Sequence, residues 1–156
     1  SVNNYKSIEL LNNNKSNIII LSGSRIVSSN TLQLVPKKFI NIHSGITPNY
    51  RGVHGGYWAI ANDDLDNCGV TLHCVDKGID TGQILAQDLI EINHKDNFCT
   101  YPFLQLSSGL KLLDAFLKDI NKVNMNKKEN ENKLSKLYYH PTIWEYLYNY
   151  IFYKTK

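Results

Sequence analysis

The sequence has no uninterrupted apolar run of the roughly 18 to 20 residues that a membrane-spanning helix needs. Nothing near its start resembles a secretory signal peptide. Its three cysteines, Cys68, Cys74 and Cys99, cannot all pair with one another within one chain. These features argue against a membrane protein and against a secreted disulfide scaffold. They predict a protein of a reducing, cytoplasmic compartment.

The spacings that usually hold a structural metal ion are also missing. The chain has five histidines and three cysteines, yet no Cys-x-x-Cys or His-x-x-x-His pair occurs among them. On a β-strand the neighbours His73 and Cys74 would point to opposite faces of the sheet. The sequence therefore predicts no metal site.

The chain has no large excess of positive or negative charge, because its 17 Lys and Arg residues are nearly balanced by 14 Asp and Glu residues. The basic side chains are scattered outside 118–136, whereas a nucleic-acid surface needs a clustered basic face. Within that stretch, residues 122–133 are nearly pure Lys, Asn and Glu, which is typical of a polar linker or mobile loop. A solvated linker is the simpler interpretation, so the charge pattern argues against nucleic acid as a partner.

The apolar patterns predict alternating strands and helices. At 156 residues and 42% hydrophobic content, the chain has the size and composition of one domain. Runs typical of strands cover 17–21, 38–43, 68–75 and 83–92, and helical patterns cover 1–16, 28–34, 53–62 and 102–121. Ser28 is a candidate N-cap. This order predicts an α/β fold in which a strand, a short helix and a second strand form a parallel unit.

The second half of the chain divides by composition. We expect residues 1–121 to form the catalytic domain, residues 122–133 to be the polar linker, and residues 134–156 to be an aromatic extension. The stretch 144–153 of that extension is predicted to be a packing or partner helix. The sequence leaves open whether the chain forms a homodimer.

The most informative residues are Asn41 and His43, which are followed by Pro48-Asn49-Tyr50-Arg51-Gly52 and by Asp80 inside Gly78-Ile79-Asp80-Thr81-Gly82. Alternation along a strand puts Asn41 and His43 on one face. Asp80 follows another apolar run, near a strand end, where ligands bind in open α/β sheets. An amide can stabilise an oxyanion and an imidazole can exchange a proton near neutral pH. The three groups are the minimum needed to move an acyl group onto an amine.

These residues resemble the signature of the folate-dependent formyltransferases, which move a formyl group from 10-formyltetrahydrofolate to an amine. The likeness runs from residue 18 to residue 87 and also includes Pro48, Tyr50, Arg51, Gly52 and Gly82. It implies a Rossmann-like, three-layer α/β fold with a mostly parallel sheet. It also implies that Asn41 polarises the formyl carbonyl, that His43 handles the proton, and that Asp80 tunes His43 by favouring its imidazolium form.

The resemblance implies that 10-formyltetrahydrofolate lies against residues 21–27 and 76–80. The donor-binding residues carried over from the family are Ser24, Arg25, Ile26, Val27, Asp76 and Gly78. Two histidines are supporting candidates with simpler alternatives. His73 would orient Asp80 or its loop, or would be an ordinary core histidine. His54 would face the acceptor, or would be an exposed residue at a helix start.

The chain departs from the family after His43, where Ser44-Gly45 replaces Pro-Ser. A glycine admits backbone angles that other residues avoid, so we expect a looser loop there. The Gly-rich nucleotide-type loop that the family places ahead of residues 17–21 is also missing. By this resemblance we expect a formyltransferase fold without its N-terminal nucleotide-binding half, whether truncated, cleaved or naturally short.

The predicted function is formyl transfer from 10-formyltetrahydrofolate to the primary amine of a small phosphorylated or nucleotide-linked acceptor. As the acceptor, phosphoribosylglycinamide is slightly favoured over an amino-sugar nucleotide. Initiator tRNA is disfavoured because residues 134–156 are too few for the barrel that the tRNA-directed branch appends. The alternatives are hydrolysis of 10-formyltetrahydrofolate, and a non-catalytic fragment or scaffold subunit.

Overall fold

The computed structural model describes residues 1–118 and 135–153. The helices in this part are α1 (Tyr5–Asn13), α2 (Ser29–Leu34), α3 (Gly55–Ala61), α4 (Tyr101–Lys118) and α5 (Ile143–Phe152). The strands are β1 (Ile18–Ser22), β2 (Lys38–His43), β3 (Tyr50–Gly52), β4 (Gly69–Cys74), β5 (Ile84–Leu89) and β6 (Lys136–Tyr138). The α/β class is confirmed.

Four strands form one sheet in the order β1-β2-β4-β5. Strands β1 and β2 pair in parallel through α2, as the predicted strand-helix-strand unit requires. Strand β4 runs antiparallel to β2, and β5 runs antiparallel to β4. The connection 75–83 is shorter than the dozen or so residues that a parallel crossover needs, so β4 and β5 pair as a hairpin. The described sheet is therefore parallel at its β1 side and antiparallel beyond β2.

Apolar layers cover both faces of this sheet. Ile40, Ile42 and the β4 side chains Val70 and Leu72 pack against Phe116 of α4 on one face. On the other face, Phe39 packs with Ile8 of α1 and with Val27 and Val35, which flank α2. Residues of β2 alternate between the two faces, as a strand dictates. Asn41 and His43 consequently share the α1 and α2 face with Phe39.

Most predicted helices begin and end close to the expected residues. Ser28 caps α2 by accepting a hydrogen bond from the Thr31 backbone N–H. Helix α4 covers the predicted 102–121 as far as Lys118, and residues 119–121 and the predicted linker 122–133 lie outside the described part. Helix α5 confirms the helix predicted in the extension and begins with a Thr142–Glu145 capping box.

Strands β3 and β6 were not expected from the sequence. Each has three residues, which is too short for alternation to be recognised. They pair in parallel, and the Tyr50 and Tyr138 rings stack with centroids 5.2 Å apart. The Val53 N–H donates to the Tyr138 carbonyl at 3.1 Å, and the Trp58 indole N–H donates to the Tyr139 carbonyl at 2.9 Å. The aromatic extension thus packs on the loop that follows β2, while the division into three segments stays a prediction.

None of the described helices combines the length and the apolar character needed to cross a membrane.

Candidate active site

A cavity of about 580 Å³ lies where β1 and β2 end. Its wall contains every residue that the sequence nominated for the site, namely Asn41, His43, His54, His73, Asp80, Ser24, Arg25, Ile26, Val27, Asp76 and Gly78. The structure therefore brings the predicted catalytic and donor-binding residues to one place.

The strand register explains how the catalytic side chains meet. Asn41 and His43 lie two residues apart on β2, and Asn41 is paired across the sheet with His73 of β4. Asp80 enters from the loop between β4 and β5 with a left-handed backbone, φ 51°. Aspartate tolerates that conformation better than most residues. The Gly52 N–H of β3 donates to Asp80 Oδ2 at 2.9 Å, which fixes the carboxylate against the histidines.

Both ring nitrogens of His43 face protein groups. Nε2 lies 2.7 Å from the Tyr50 carbonyl, which can only accept, so Nε2 carries a hydrogen. Nδ1 then faces Asp80 Oδ2 at 3.4 Å. In neutral His43 this nitrogen has a lone pair, and in protonated His43 it presents an N–H to the carboxylate. A proton can therefore be accepted by His43 Nδ1 and held there by the Asp80 carboxylate.

Burial is the largest influence on the pKa of His43. It lowers this pKa below 6.5, although Asp80 and the hydrogen bond to the Tyr50 carbonyl raise it. The expectation that Asp80 would favour the imidazolium form is right about the direction of that one contribution. The net shift is nevertheless downward, because desolvation of the ring is the larger effect.

Asp80 shows the opposite balance. Burial alone would raise its pKa, but the contacts of the carboxylate with His73 and His43 in their protonated forms and with the Gly52 N–H together hold the pKa below its ordinary value. Near neutral pH the site therefore contains an ionised Asp80 beside a neutral His43. This is the protonation state of a base ready to accept a proton.

His73 connects Asn41 to Asp80. Its Nδ1 lies 2.8 Å from the Cys74 carbonyl and so carries a hydrogen, which leaves Nε2 as an acceptor in the neutral ring. The Asn41 amide nitrogen lies 3.2 Å from that Nε2, and Asp80 Oδ1 lies 3.5 Å from it. His73 thus holds the NH2 group of Asn41 in place by taking one of its two N–H bonds. The orientation of Asn41 is a role that the sequence did not assign to His73.

Two glycines of the loop after β2 are required by close packing. A methyl group on Gly45 would overlap the Tyr50 carbonyl oxygen and come within 2.8 Å of His43 Nε2. The expected looser loop is therefore not found, since Gly45 lets the Tyr50 carbonyl reach His43 and has no positive φ. Gly52 does have one, φ +94°, and a methyl group there would overlap the Tyr138 carbonyl oxygen.

The donor-binding candidates are less enclosed than the catalytic side chains. Ser24, Arg25 and Ile26 are exposed along the cavity rim, whereas Val27 is a buried core residue. Asp76 Oδ1 accepts from the Gly78 N–H at 2.9 Å and from the Thr81 hydroxyl at 2.7 Å, which shapes the opposite rim. Their role in donor binding stays a prediction.

His54 lies on the far wall of the cavity. It lies at the start of α3, as one of the two expectations had it, but its side chain is half-buried and makes no capping hydrogen bond. Instead, Nε2 lies 2.9 Å from Nδ1 of His140, and the ring packs against Phe98 with centroids 4.6 Å apart. Burial and the neighbouring His140 lower the pKa of His54.

The aromatic extension supplies cavity residues that the sequence did not nominate, namely Leu137, Tyr139 and His140. No local pattern could have found them, because β6 has only three residues and reaches this wall by pairing with β3. His43 and His73 meet different oxygens of Asp80, and within residues 1–118 and 135–153 no group of three or more His, Cys, Asp or Glu side chains is arranged to hold a metal ion.

Comparison with known proteins agrees with this geometry. The sequence profile described as formyl transferase matches residues 2–102, well over half of the chain. The chain belongs to the formyltransferase family. The methionyl-tRNA formyltransferase of Kosmotoga olearia is 34% identical over 122 residues, which make up 78% of this chain and 39% of that protein.

Solved structures of formyltransferases share the fold. The N-formyltransferase of Helicobacter canadensis, in complex with folinic acid and dTDP-3-aminofucose, is 29% identical with a TM-score of 0.64, and covers 93% of this chain and 57% of its own. The phosphoribosylglycinamide formyltransferase of Streptococcus pneumoniae is 28% identical with a TM-score of 0.62, covering 72% of this chain and 63% of its own. The chain spans about two fifths of the curated relative and about three fifths of these structures.

Proposed function

We propose that this chain carries out formyl transfer from 10-formyltetrahydrofolate to a primary amine. The observation that carries the proposal is the convergence of Asn41, His43 and Asp80 on one cavity, with His73 fixing the amide of Asn41. The directions of the pKa shifts of His43 and Asp80, which favour a neutral imidazole beside an ionised carboxylate, support this proposal. The folinic acid in the Helicobacter canadensis enzyme supports a folate as donor.

The reaction begins when the amine nitrogen attacks the formyl carbon and the carbonyl oxygen becomes an oxyanion. The second N–H of Asn41, which His73 does not use, donates to that oxyanion, and one such donor is worth about 3 kcal/mol of barrier. The tetrahedral intermediate then collapses with cleavage of the bond between the formyl carbon and N10 of the folate. The products are a formamide and tetrahydrofolate.

One proton moves during this sequence. The attacking amine becomes positively charged and loses a proton, directly or through a water, to His43 Nδ1, which lies beside the Asp80 carboxylate. The leaving N10 nitrogen takes up a proton as the bond breaks, so the catalytic pair returns to its starting state. The neutral His43 described above suits the first of these steps.

The molecule that receives the formyl group is proposed from the relatives and the chemistry together. We favour a small phosphorylated or nucleotide-linked amine, with phosphoribosylglycinamide and an amino-sugar nucleotide as the two candidates. The names of the solved relatives support both classes. The curated relatives named methionyl-tRNA formyltransferase add an amine carried by tRNA, which the scattered basic charge of this chain does not exclude.

The test is an end-point assay with 10-formyltetrahydrofolate and each of the three amines, read by mass spectrometry of the acceptor. A formylated acceptor that is absent with His43→Ala supports the proposal. Free formate without any formylated acceptor would instead indicate a hydrolase. No product from a folded sample that binds a reduced folate would indicate a non-catalytic subunit.

A further inference from the structure

Two histidines of the far cavity wall, His54 and His140, have no part in the proposed transfer steps. We term them the imidazole pair. His54 Nε2 lies 2.9 Å from His140 Nδ1, and the two rings are inclined by 69°. Both residues line the cavity that contains the reacting groups. A pair of titratable rings therefore lies within the site without an assigned role.

The imidazole pair joins two segments that are held together by other bonds. His54 stands at the start of α3 with a left-handed backbone, φ 57°. Val53, the residue before it, donates its N–H to the Tyr138 carbonyl at 3.1 Å. The Trp58 indole N–H donates to the Tyr139 carbonyl at 2.9 Å. Both bonds tie the start of α3 to the extension, so the two rings are positioned by their backbones.

The hydrogen bond between the rings fixes what the pair can offer to a ligand. A neutral imidazole has one N–H and one lone pair. Whichever ring donates in this bond, its outer nitrogen has a lone pair, and the outer nitrogen of the other ring has an N–H. One added proton converts that lone pair into a second N–H and leaves the inner bond intact. The singly protonated pair thus presents two N–H donors and one positive charge.

The outer nitrogens are His54 Nδ1 and His140 Nε2. Within residues 1–118 and 135–153, neither of them has a hydrogen-bond partner. Their donors are consequently available to a molecule in the cavity. A donor pair of this kind suits two oxygens of one phosphate group, because charge-assisted hydrogen bonds to an anion are the strong ones.

The surroundings of the pair leave its charge uncompensated. Phe98 and His140 pack on the His54 ring, and His140 is the titratable group that acts on His54 among the described residues. Asp96 accepts its hydrogen bonds inside its own turn, and Glu145 accepts within the cap of α5. Burial and the second ring lower the pKa of His54, so an added proton needs an anion beside it.

The rest of the cavity wall offers little to an anion. Arg25, on the donor rim, is the one permanent cation among the described lining residues. Asp76 and Asp80 add two carboxylates, which would repel a phosphate. The imidazole pair is therefore the part of the wall outside the reacting group and the donor rim that can become positive.

We propose that the imidazole pair binds a phosphate group of the acceptor, with one proton taken up by the pair. The identity of this ligand rests on the proposed function, whose candidate acceptors all carry phosphate. The two outer nitrogens would each donate to one phosphate oxygen. Since His140 belongs to the extension, the extension would supply half of this subsite.

The test is sulfate binding to the full chain, followed through the imidazole resonances by nuclear magnetic resonance. Sulfate stays doubly charged over the range in which imidazoles titrate, so any pH dependence of binding comes from the protein. We expect sulfate to raise the pKa of both rings of the pair. It should bind at least about tenfold more tightly at about pH 6 than at about pH 8, because the pair must hold one proton.

His140→Asn can keep a polar group near the position of Nδ1 but lacks the outer nitrogen and the charge. We expect it to weaken sulfate binding by about tenfold or more at about pH 6. His94→Asn is the matched control, because His94 is an exposed histidine of the loop after β5 and does not line the cavity. Sulfate affinity should be unchanged in this control.

Repeating the titrations with inorganic phosphate and with pyrophosphate distinguishes the two sources of the phosphate. A larger loss of pyrophosphate binding in His140→Asn would indicate the diphosphate of a nucleotide-linked acceptor. An equal loss for both anions would indicate a single phosphate, as in phosphoribosylglycinamide. Either result supports the subsite.

Two outcomes would overturn the proposal. One is sulfate binding that His140→Asn and His94→Asn weaken equally, which would show attraction to any protonated histidine. The other is that sulfate leaves the pKa of both rings unchanged. Neither measurement needs a folate or catalysis. Formyl transfer by a chain that fails this test would place the acceptor phosphate elsewhere, whereas sulfate binding by a chain that transfers no formyl group would contradict the proposed function alone.

Discussion

The catalytic group and the donor rim line the same cavity but are held in different ways. The catalytic group consists of Asn41, His43, His73 and Asp80, and its contacts join β2, β3, β4 and the loop after β4. The donor rim, residues 23–27 and 76–79, is mostly exposed and is shaped by local contacts such as that between Asp76 and Gly78. We propose that the buried centre carries out the chemistry and that the exposed rim binds the donor, so changes to the two should act differently on kcat and KM.

The largest effect should come from removing the imidazole at the centre. His43→Ala should lower kcat/KM for formyl transfer by a hundredfold to ten thousandfold, roughly the usual contribution of a general base. His43 lines the cavity, so the variant should still fold, which circular dichroism and thermal unfolding can check. Near-normal transfer by the folded variant would remove His43 from the mechanism.

Asp80→Asn keeps the shape of the side chain and removes its charge. We expect kcat to fall by about a hundredfold. Because burial already lowers the pKa of His43 and Asp80 raises it, losing the carboxylate should lower that pKa further. The acid limb of the kcat/KM profile should lie below pH 6.5 in the parent and move to still lower pH in the variant. An acid limb that moves to higher pH would contradict this electrostatic account.

A matched pair of glycines tests whether the centre is held more tightly than the rim. Gly52→Ala should reduce the free energy of unfolding by about 2 to 3 kcal/mol, because φ is +94° and the methyl group would overlap the Tyr138 carbonyl. Gly23→Ala, at φ +59° with no atom within 4 Å of the added carbon, should cost about 1 kcal/mol from backbone strain alone. Urea unfolding measures both. Equal losses would show that the β3–β6 contact is not tightly packed.

The smallest effect should come from the rim. Ile26→Ala removes exposed apolar surface beside the cavity, so binding of a reduced folate analogue should weaken about threefold to tenfold while kcat stays within about twofold. Titration calorimetry on the folded chain measures the affinity. An unchanged Kd would take residues 23–27 out of the donor site, and no heat from the parent chain would count against a folate donor altogether.

Local sequence patterns predicted the elements that position the catalytic group. Alternation placed Asn41 and His43 on one strand, and β2 was found at the expected residues, Lys38–His43. The motif around Asp80 predicted its meeting with His43, and the structure confirms that contact. The alternation on β2 depends on residues close together in the chain, whose pattern can be recognised, whereas the contact of Asp80 with the distant His43 was implied by the family resemblance.

What the sequence could not supply depends on distant contacts. His140 reaches the cavity only because β6 pairs with β3, and the downward shift in the pKa of His43 arises from burial by several elements. The interaction between His73 and Asn41 depends on sheet register, which a single strand does not reveal. Neither short strand had enough residues to show alternation.

The pairing of β3 with β6 also bears on how the protein is made. The contact from Trp58 to Tyr139 joins residues 81 positions apart, so it becomes available only after the loop that follows β2 has been synthesised. Until β6 has left the ribosome, the loop that carries Tyr50 and Gly52 lacks its partner strand, and its contacts to His43 and Asp80 lack their outer support. Folding of this centre is therefore coupled to the synthesis of β6. A nascent chain halted before β6 would have the signature residues but not the geometry that makes them useful.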